Sequence, residues 1–178
     1  MTLRIRPEEP GDVPAVQAII GAAFPDVDGV VVEVGLNDEL RRDHAWIPGL
    51  SLVAELDGRV VGQVTSSRGV LAGPTGDRPD RQPVGVGPVS VLPSEQGAGV
   101  GRALMTDLIA RATRAGEPAL VLLGDPAFYR RFGFRPAADA GIRPPDPGWE
   151  VHFQALVLRD VHPPLSGRFS YAAPFGRL

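Results

Sequence analysis

Val89-Ser90-Val91-Leu92-Pro93-Ser94-Glu95-Gln96-Gly97-Ala98-Gly99-Val100-Gly101-Arg102-Ala103-Leu104 passes from a β-branched run through a proline- and glycine-rich turn into a helical spacing. The apolar residues Val100, Leu104, Leu108, Ile109 and Ala112 then share one face of a helix expected over Gly99 to Ala115, with Gly116 as its C-terminal stop. Glycines at 97, 99 and 101 strip side chains from the point where that helix starts. Unpaired amide N–H groups can converge there on a bound anion, aided by the positive end of the helix dipole. A pyrophosphate suits that arrangement. A tight turn that only lets the helix pack closely is the competing reading of the same glycines.

Upstream, Leu3 to Arg6 alternates as a short strand, and Asp12 precedes an apolar helical pattern at Val13, Val16, Ile19, Ile20 and Phe24. A second helix is expected from Val31 to Asp43, with Pro48 and Gly49 closing the segment. Leu50 to Leu56 and Arg59 to Arg68 read as strands joined at Asp57-Gly58, a pair suited to the positive φ angles of a type I′ turn. Val84 to Leu92 is a further strand, reached through a Gly, Pro, Asp and Arg-rich stretch, Ala72 to Pro83, that reads as a mobile loop. Downstream come a buried strand at Ala119 to Leu123, a short helix at Pro126 to Phe132 ended by Gly133, and a late strand at Val151 to Leu158. No internal repeat interrupts this order, and residues 1–178 read as a single mixed α/β domain.

Composition removes several classes of function. The net charge of −3 gives no basic field for nucleic acid or an anionic membrane. All 18 basic residues are arginine, so a Walker lysine, a Schiff base and a lysine nucleophile are excluded. Without cysteine there is no thiolate nucleophile and no cysteine metal site. His44, His152 and His162 are scattered without ligand spacing, so no metal is expected. The N-terminal MTLRIRPEEPGD has no apolar h-region and no stretch approaches a membrane span, which makes the cytoplasm the expected location. A dinucleotide site fails on spacing: the third glycine falls one residue early for G-x-G-x-x-G, and Pro93 to Gln96 separate strand from glycines.

Gln96, Gly99 and Gly101 resemble the cofactor motif of the GCN5-related N-acetyltransferase (GNAT) superfamily: Arg or Gln, two residues, Gly, any residue, then Gly or Ala, between a strand and a helix. Phe128-Tyr129-Arg130-Arg131-Phe132-Gly133-Phe134 is similar to the same superfamily's aromatic-Tyr-x-x-x-Gly-Phe segment, at the matching distance downstream. The likeness covers nearly the whole chain in element order, and its residue-level detail lies between about residues 87 and 134.

That resemblance implies a GNAT-like fold: a central, twisted, largely antiparallel sheet, flanked by helices and splayed near Val89 to Leu92 and Ala119 to Leu123. It implies acetyl-CoA as co-substrate. Val89, Ser90 and Val91 would meet the pantetheine arm through their backbone, with the Val91 N–H polarising the acetyl carbonyl. Gln96, Gly97, Ala98, Gly99, Val100, Gly101 and Arg102 would hold the pyrophosphate. Tyr129 would be the general acid for the departing thiolate.

The strand holds no Asp or Glu where some members keep a base, and Glu33, Asp125, His152 and a water-relayed path stay open for that role. Leu122-Leu123-Gly124-Asp125-Pro126 departs from the family, which commonly has an Asn and a longer connection there; the compact form resembles a subgroup of predicted N-acetyltransferases. Arg130 and Arg131 read as a solvated face that could also reach a 3′-phosphate. The resemblance implies as acceptor a primary amine of a small molecule or peptide, in a pocket that Phe24 to Asp43 and Trp149 to Tyr171 would shape, and strand-edge or C-terminal exchange would offer a route to a homodimer. The alternative is a non-catalytic acyl-CoA sensor on the same fold.

Overall fold

The computed structural model describes residues 2–73, 76 and 81–177. Strand β1 (Leu3–Pro7) leads through a 3-10 turn into helix α1 (Val13–Ala23), and α2 (Val32–Arg42) is next. The hairpin β2 (Leu52–Leu56) and β3 (Arg59–Arg68) turns at Asp57 and Gly58, whose φ angles of 48° and 83° are those the Asp-Gly pair was expected to adopt. Leu50 belongs to a 3-10 turn ahead of β2 and not to the strand. Then come β4 (Val70–Ala72), β5 (Val84–Val91), α3 (Val100–Arg114), β6 (Ala119–Leu123) and α4 (Pro126–Tyr129), which tightens into a 3-10 turn over Arg130–Phe132. The chain ends with β7 (Arg135–Pro136), β8 (Ile142–Arg143), β9 (Phe153–Val157) and β10 (Gly167–Ser170). Of the loop expected over Ala72 to Pro83, residues 74, 75 and 77–80 lie outside the described residues.

Among the described residues, seven strands form one sheet in the order β1-β2-β3-β5-β6-β9-β7, in which β5 and β6 pair in parallel. That pair holds only at Val84 with Leu120 and at Gly85 with Val121; beyond these two rungs the strands part. The largely antiparallel, splayed sheet is thus the one expected. A second sheet, β4-β10-β8, and the strand β7 arise from segments of two to four residues, too short to show a period in the sequence.

Helix α3 covers one face. Its Val100, Leu104, Met105, Leu108 and Ala112 pack with Leu52, Ala54, Val64 and Leu120 in the main core. The approach is close at Gly62 on β3, where a Cβ would stand 3.0 Å from Val100 Cγ1. The other face is covered by α1, whose Val16 and Ile20 meet Val53, and by α2, whose Leu36 and Leu40 meet Ala172.

The closed end of the splay is clamped by charge. Glu117, just before β6, is buried and accepts from Arg68 at the end of β3 (2.5 and 2.9 Å) and from Arg81 (2.8 and 3.1 Å). Burial pushes its carboxyl up, but the two guanidiniums outweigh burial and hold it below the usual carboxylate range. A depressed folded-state pKa gives stability that is present above the unfolded value of 4.5 and is lost as pH falls below it. Both arginines reach water, so Glu117→Ala is expected to cost about 2 kcal/mol, less than the ~3–5 of a fully buried broken pair, and to lower Tm by roughly 4–8 °C. Thermal melts at pH 7 and pH 3.5 check this: the gap between variant and parent should narrow at the lower pH.

Candidate active site

Every residue expected to hold the co-substrate, and the expected general acid, lines one cavity of about 770 Å³: Val89, Ser90 and Val91 from β5, Gln96 to Arg102 from the turn and the start of α3, and Tyr129 from α4. Of the candidate bases, Glu33, Asp125 and His152 do not line it, and of the expected acceptor segments only Phe24 does. Ala23, Phe24, Glu95, Phe128 and Arg131 complete its wall.

The turn works through its backbone. Gly97 and Gly99 sit at φ 78° and 89°, a left-handed region that costs other residues about 1–2 kcal/mol, and Gly99 caps the N-terminus of the 15-residue α3. A Cβ at Gly97 would meet nothing within 4 Å, and at Gly99 only Arg102 at 3.8 Å. These glycines are therefore required by backbone conformation and not by crowding, and they leave open space over the first amides of the helix. Gly101 differs: a Cβ there would make ordinary contact with Phe128 at 3.5 Å, which fits a motif that accepts Ala at this position.

Register decides which β5 amides face the cavity. The Leu92 N–H donates to the Val61 carbonyl, and Ser90 pairs with Gln63 across the β3/β5 ladder. Because hydrogen bonding alternates along an antiparallel strand, Val89 and Val91 turn their N–H and C=O groups the other way, toward the widening gap before β6. Gln96 Nε2 donates to the Val91 carbonyl at 3.1 Å. That bond engages the Val91 carbonyl and not its N–H, and it ties the glycine turn to the strand end.

Tyr129 closes the far side. Its ring stands edge-on to Phe128 at 4.9 Å and packs on Phe134 at 5.8 Å. Burial pushes its phenol up to about 12, so it stays protonated across the neutral range. Gly124 makes this pose available, since a Cβ there would overlap the Tyr129 ring. Gly124→Ala is accordingly expected to displace the ring and lower turnover about tenfold, with little change in thermal stability because the site is partly open. A steady-state assay paired with a melting curve measures both.

A second phenol approaches from the C-terminal segment. The Tyr171 ring wedges against Gly85, the last β5 residue paired with β6, where a Cβ would lie 2.8 Å from its Cδ1. Burial pushes this phenol well above its ordinary range, neighbouring Tyr129 adds to the effect, and a hydrogen bond with the Leu123 backbone works against it.

Asp125 caps α4, accepting from the Ala127 N–H at 2.8 Å, and the His152 carbonyl accepts from Gly124. Glu33 lies in the first turn of α2, half-buried, with Oε2 buried and without a hydrogen-bond partner among the described residues. Arg130 and Arg131 are both exposed; Arg131 stacks 5.1 Å over the Phe128 ring and lines the cavity, and Arg130 does not line it. Arg102 and Arg131 make no ion pair among the described residues, so two guanidiniums at the cavity remain available to an anion.

Sequence reasoning gave Gln63 no role, and placed Gly124 and Tyr171 only within longer segments, without their contacts to Tyr129 and Gly85. A glycine ahead of an Asp-Pro helix start was the only local signal for Gly124, and the other two act through contacts distant in the chain. No group of three or more potential metal ligands occurs among the described residues, and none of the described helices is long and apolar enough to cross a membrane.

Comparison with known proteins gives the family. The acetyltransferase (GNAT) domain family matches residues 4–137. The uncharacterized N-acetyltransferase YhbS of Escherichia coli K12 is 35% identical over 156 residues, spanning 88% of this chain and 87% of that protein. The crystal structure of YhbS from Escherichia coli with CoA superposes with a TM-score of 0.86 at 33% identity, covering 99% of this chain and 93% of that one. A GNAT family acetyltransferase of Brucella melitensis in complex with acetyl-CoA gives a TM-score of 0.76 at 34% identity, with 98% of each chain covered. The chain therefore belongs to the GNAT family of N-acetyltransferases.

Proposed function

We propose that the protein acts as one catalytic domain, in the cytoplasm, transferring the acetyl group of acetyl-CoA to a primary amine of a small molecule or peptide. The observation that carries this reading is the convergence of the Val91 N–H, the open amides at Gly97 to Gly101 and the Tyr129 phenol on one cavity. The residues present fit the co-substrate. A side-chain-free helix start offers N–H donors to a diphosphate, Arg102 and Arg131 supply compensating charge, and β5 offers an unpaired backbone edge to an amide-bearing arm. The relatives crystallised with CoA and acetyl-CoA support the same assignment.

In the transfer, the amine nitrogen forms a bond to the acetyl carbon and the carbon–sulfur bond breaks. The Val91 N–H stabilises negative charge on the carbonyl oxygen as it develops. Tyr129 donates its phenolic proton to the leaving thiolate, a task for which a neutral phenol is suited. The amine loses one proton to water and water returns one to Tyr129, so that the phenol is restored for the next turnover.

A CoA-release assay over amino acids, polyamines, aminoglycosides and peptides tests the reading. Release stimulated by one amine class supports it. Acetyl-CoA binding without release across the panel would instead favour an acyl-CoA sensor, and no binding at all would remove both.

A further inference from the structure

Gln63 is fully buried on β3, on the face opposite α3, and all of its polar atoms are engaged. Its Nε2 donates to the Pro88 carbonyl at 3.1 Å and to Ser90 Oγ at 2.9 Å, and its Oε1 accepts from Thr65 Oγ1 at 3.0 Å. Thr65 Oγ1 in turn accepts from Asn37 Nδ2 of α2 at 2.5 Å. The amide's orientation is fixed by chemistry, since a proline carbonyl can only accept and the atom facing it must be the NH2 group.

These bonds fall at an irregular place in the sheet. From Val64 to Ser66 the ladder advances two residues on β3, whereas its partners on β5, Val89 and Val86, are three apart. The extra residue makes a bulge over Gly87 and Pro88, and a bulge re-aims the backbone on its C-terminal side. Here that backbone is Val89 to Val91, whose Val89 and Val91 amides face the cavity. A bulged residue gives up a ladder hydrogen bond, and Gln63 supplies the side-chain donor that the Pro88 carbonyl then takes.

We propose that Gln63 is a positioning residue for the oxyanion-stabilising amide: by holding Pro88 and Ser90 together it sets the direction of the Val91 N–H, and Thr65 and Asn37 hold Gln63 in turn. The inference rests on the proposed acetyl transfer and adds to it a residue that never touches the acetyl group. It also joins α2 to the reacting end of β5 through four side chains, Asn37, Thr65, Gln63 and Ser90. The role differs from plain core packing in a measurable way, because it concerns the carbonyl oxygen of the acetyl group and not the rest of the co-substrate.

The test uses acetyl-CoA labelled with carbon-13 at the acetyl carbonyl, together with CoA, which lacks that carbonyl. In the unaltered protein the bound carbonyl resonance is expected to move downfield of its free position, the signature of a strong hydrogen bond to oxygen. Gln63→Met, close in volume but without donors, is expected to lose about half or more of that displacement while its affinity for CoA changes less than about twofold. Thr65→Val should give a smaller loss in the same direction, and Thr65→Ser should restore it. Full displacement in both Gln63→Met and Thr65→Val overturns the inference. Should Gln63→Met fail to fold, the Thr65 pair decides alone: loss in Val with recovery in Ser supports the proposal, and equal signals in the two overturn it. Absence of acetyl-CoA binding in the unaltered protein is a separate result, since it overturns the proposed function on which the inference rests.

Discussion

Tyr129→Phe is expected to lower kcat by about 10²–10⁴-fold on the amine identified in the panel, with CoA affinity almost unchanged. The ring packs on Phe128 and Phe134, contacts that phenylalanine keeps, so fold and cavity shape should survive. What disappears is the proton for the thiolate. The pH dependence has a definite sign: burial raises this phenol to about 12, so its acidic form persists as pH rises through neutrality and is depleted only near that value. Tyr129 should therefore contribute no alkaline limb to the kcat profile below about pH 11. An unchanged kcat in the variant would remove the phenol from the reaction.

Gly99→Val should be comparably damaging, through binding instead of turnover. At φ 89° and ψ 2° a β-branched residue is strained, and the relief of that strain would rotate the amides at the start of α3. A Cβ at 99 has room, so the loss comes from backbone direction and not from collision with the core. We expect acetyl-CoA affinity to fall on the order of 100-fold, from about 1–2 kcal/mol of strain together with misdirected hydrogen bonds. Because ~1 kcal/mol corresponds to only about 2–4 °C in a chain of this size, the variant should remain folded at room temperature. Calorimetric titration with acetyl-CoA beside a thermal melt separates the two effects, and near-parental affinity would show that the turn does not hold the diphosphate.

Glycine spacing and helical periodicity made α3 and its start legible in the sequence, because both are local: the φ requirement of Gly99 and the apolar face of Val100, Leu104, Leu108 and Ala112 lie within a few turns of chain. The Asp57-Gly58 hairpin was legible for the same reason. Strands β4, β7, β8 and β10 were not, since they are held by partners distant in sequence, as when β10 lies between β4 and β8. The same limit hid parts of the site. Nothing near Gln63 in the chain signals that it meets Pro88 and Ser90, and nothing near Tyr171 signals that its ring rests on Gly85.

The order of residues alone settled which backbone could adopt a left-handed helix cap and which face of α3 would be apolar, because φ limits and side-chain periodicity act over a few residues. It took the assembled fold to part β5 from β6 after two rungs, to turn Val91 toward the gap through a bulge, and to make room for Tyr129 at Gly124. Those are outcomes of register and close packing between segments far apart in the chain, set by the sum of many contacts and by no single stretch of residues.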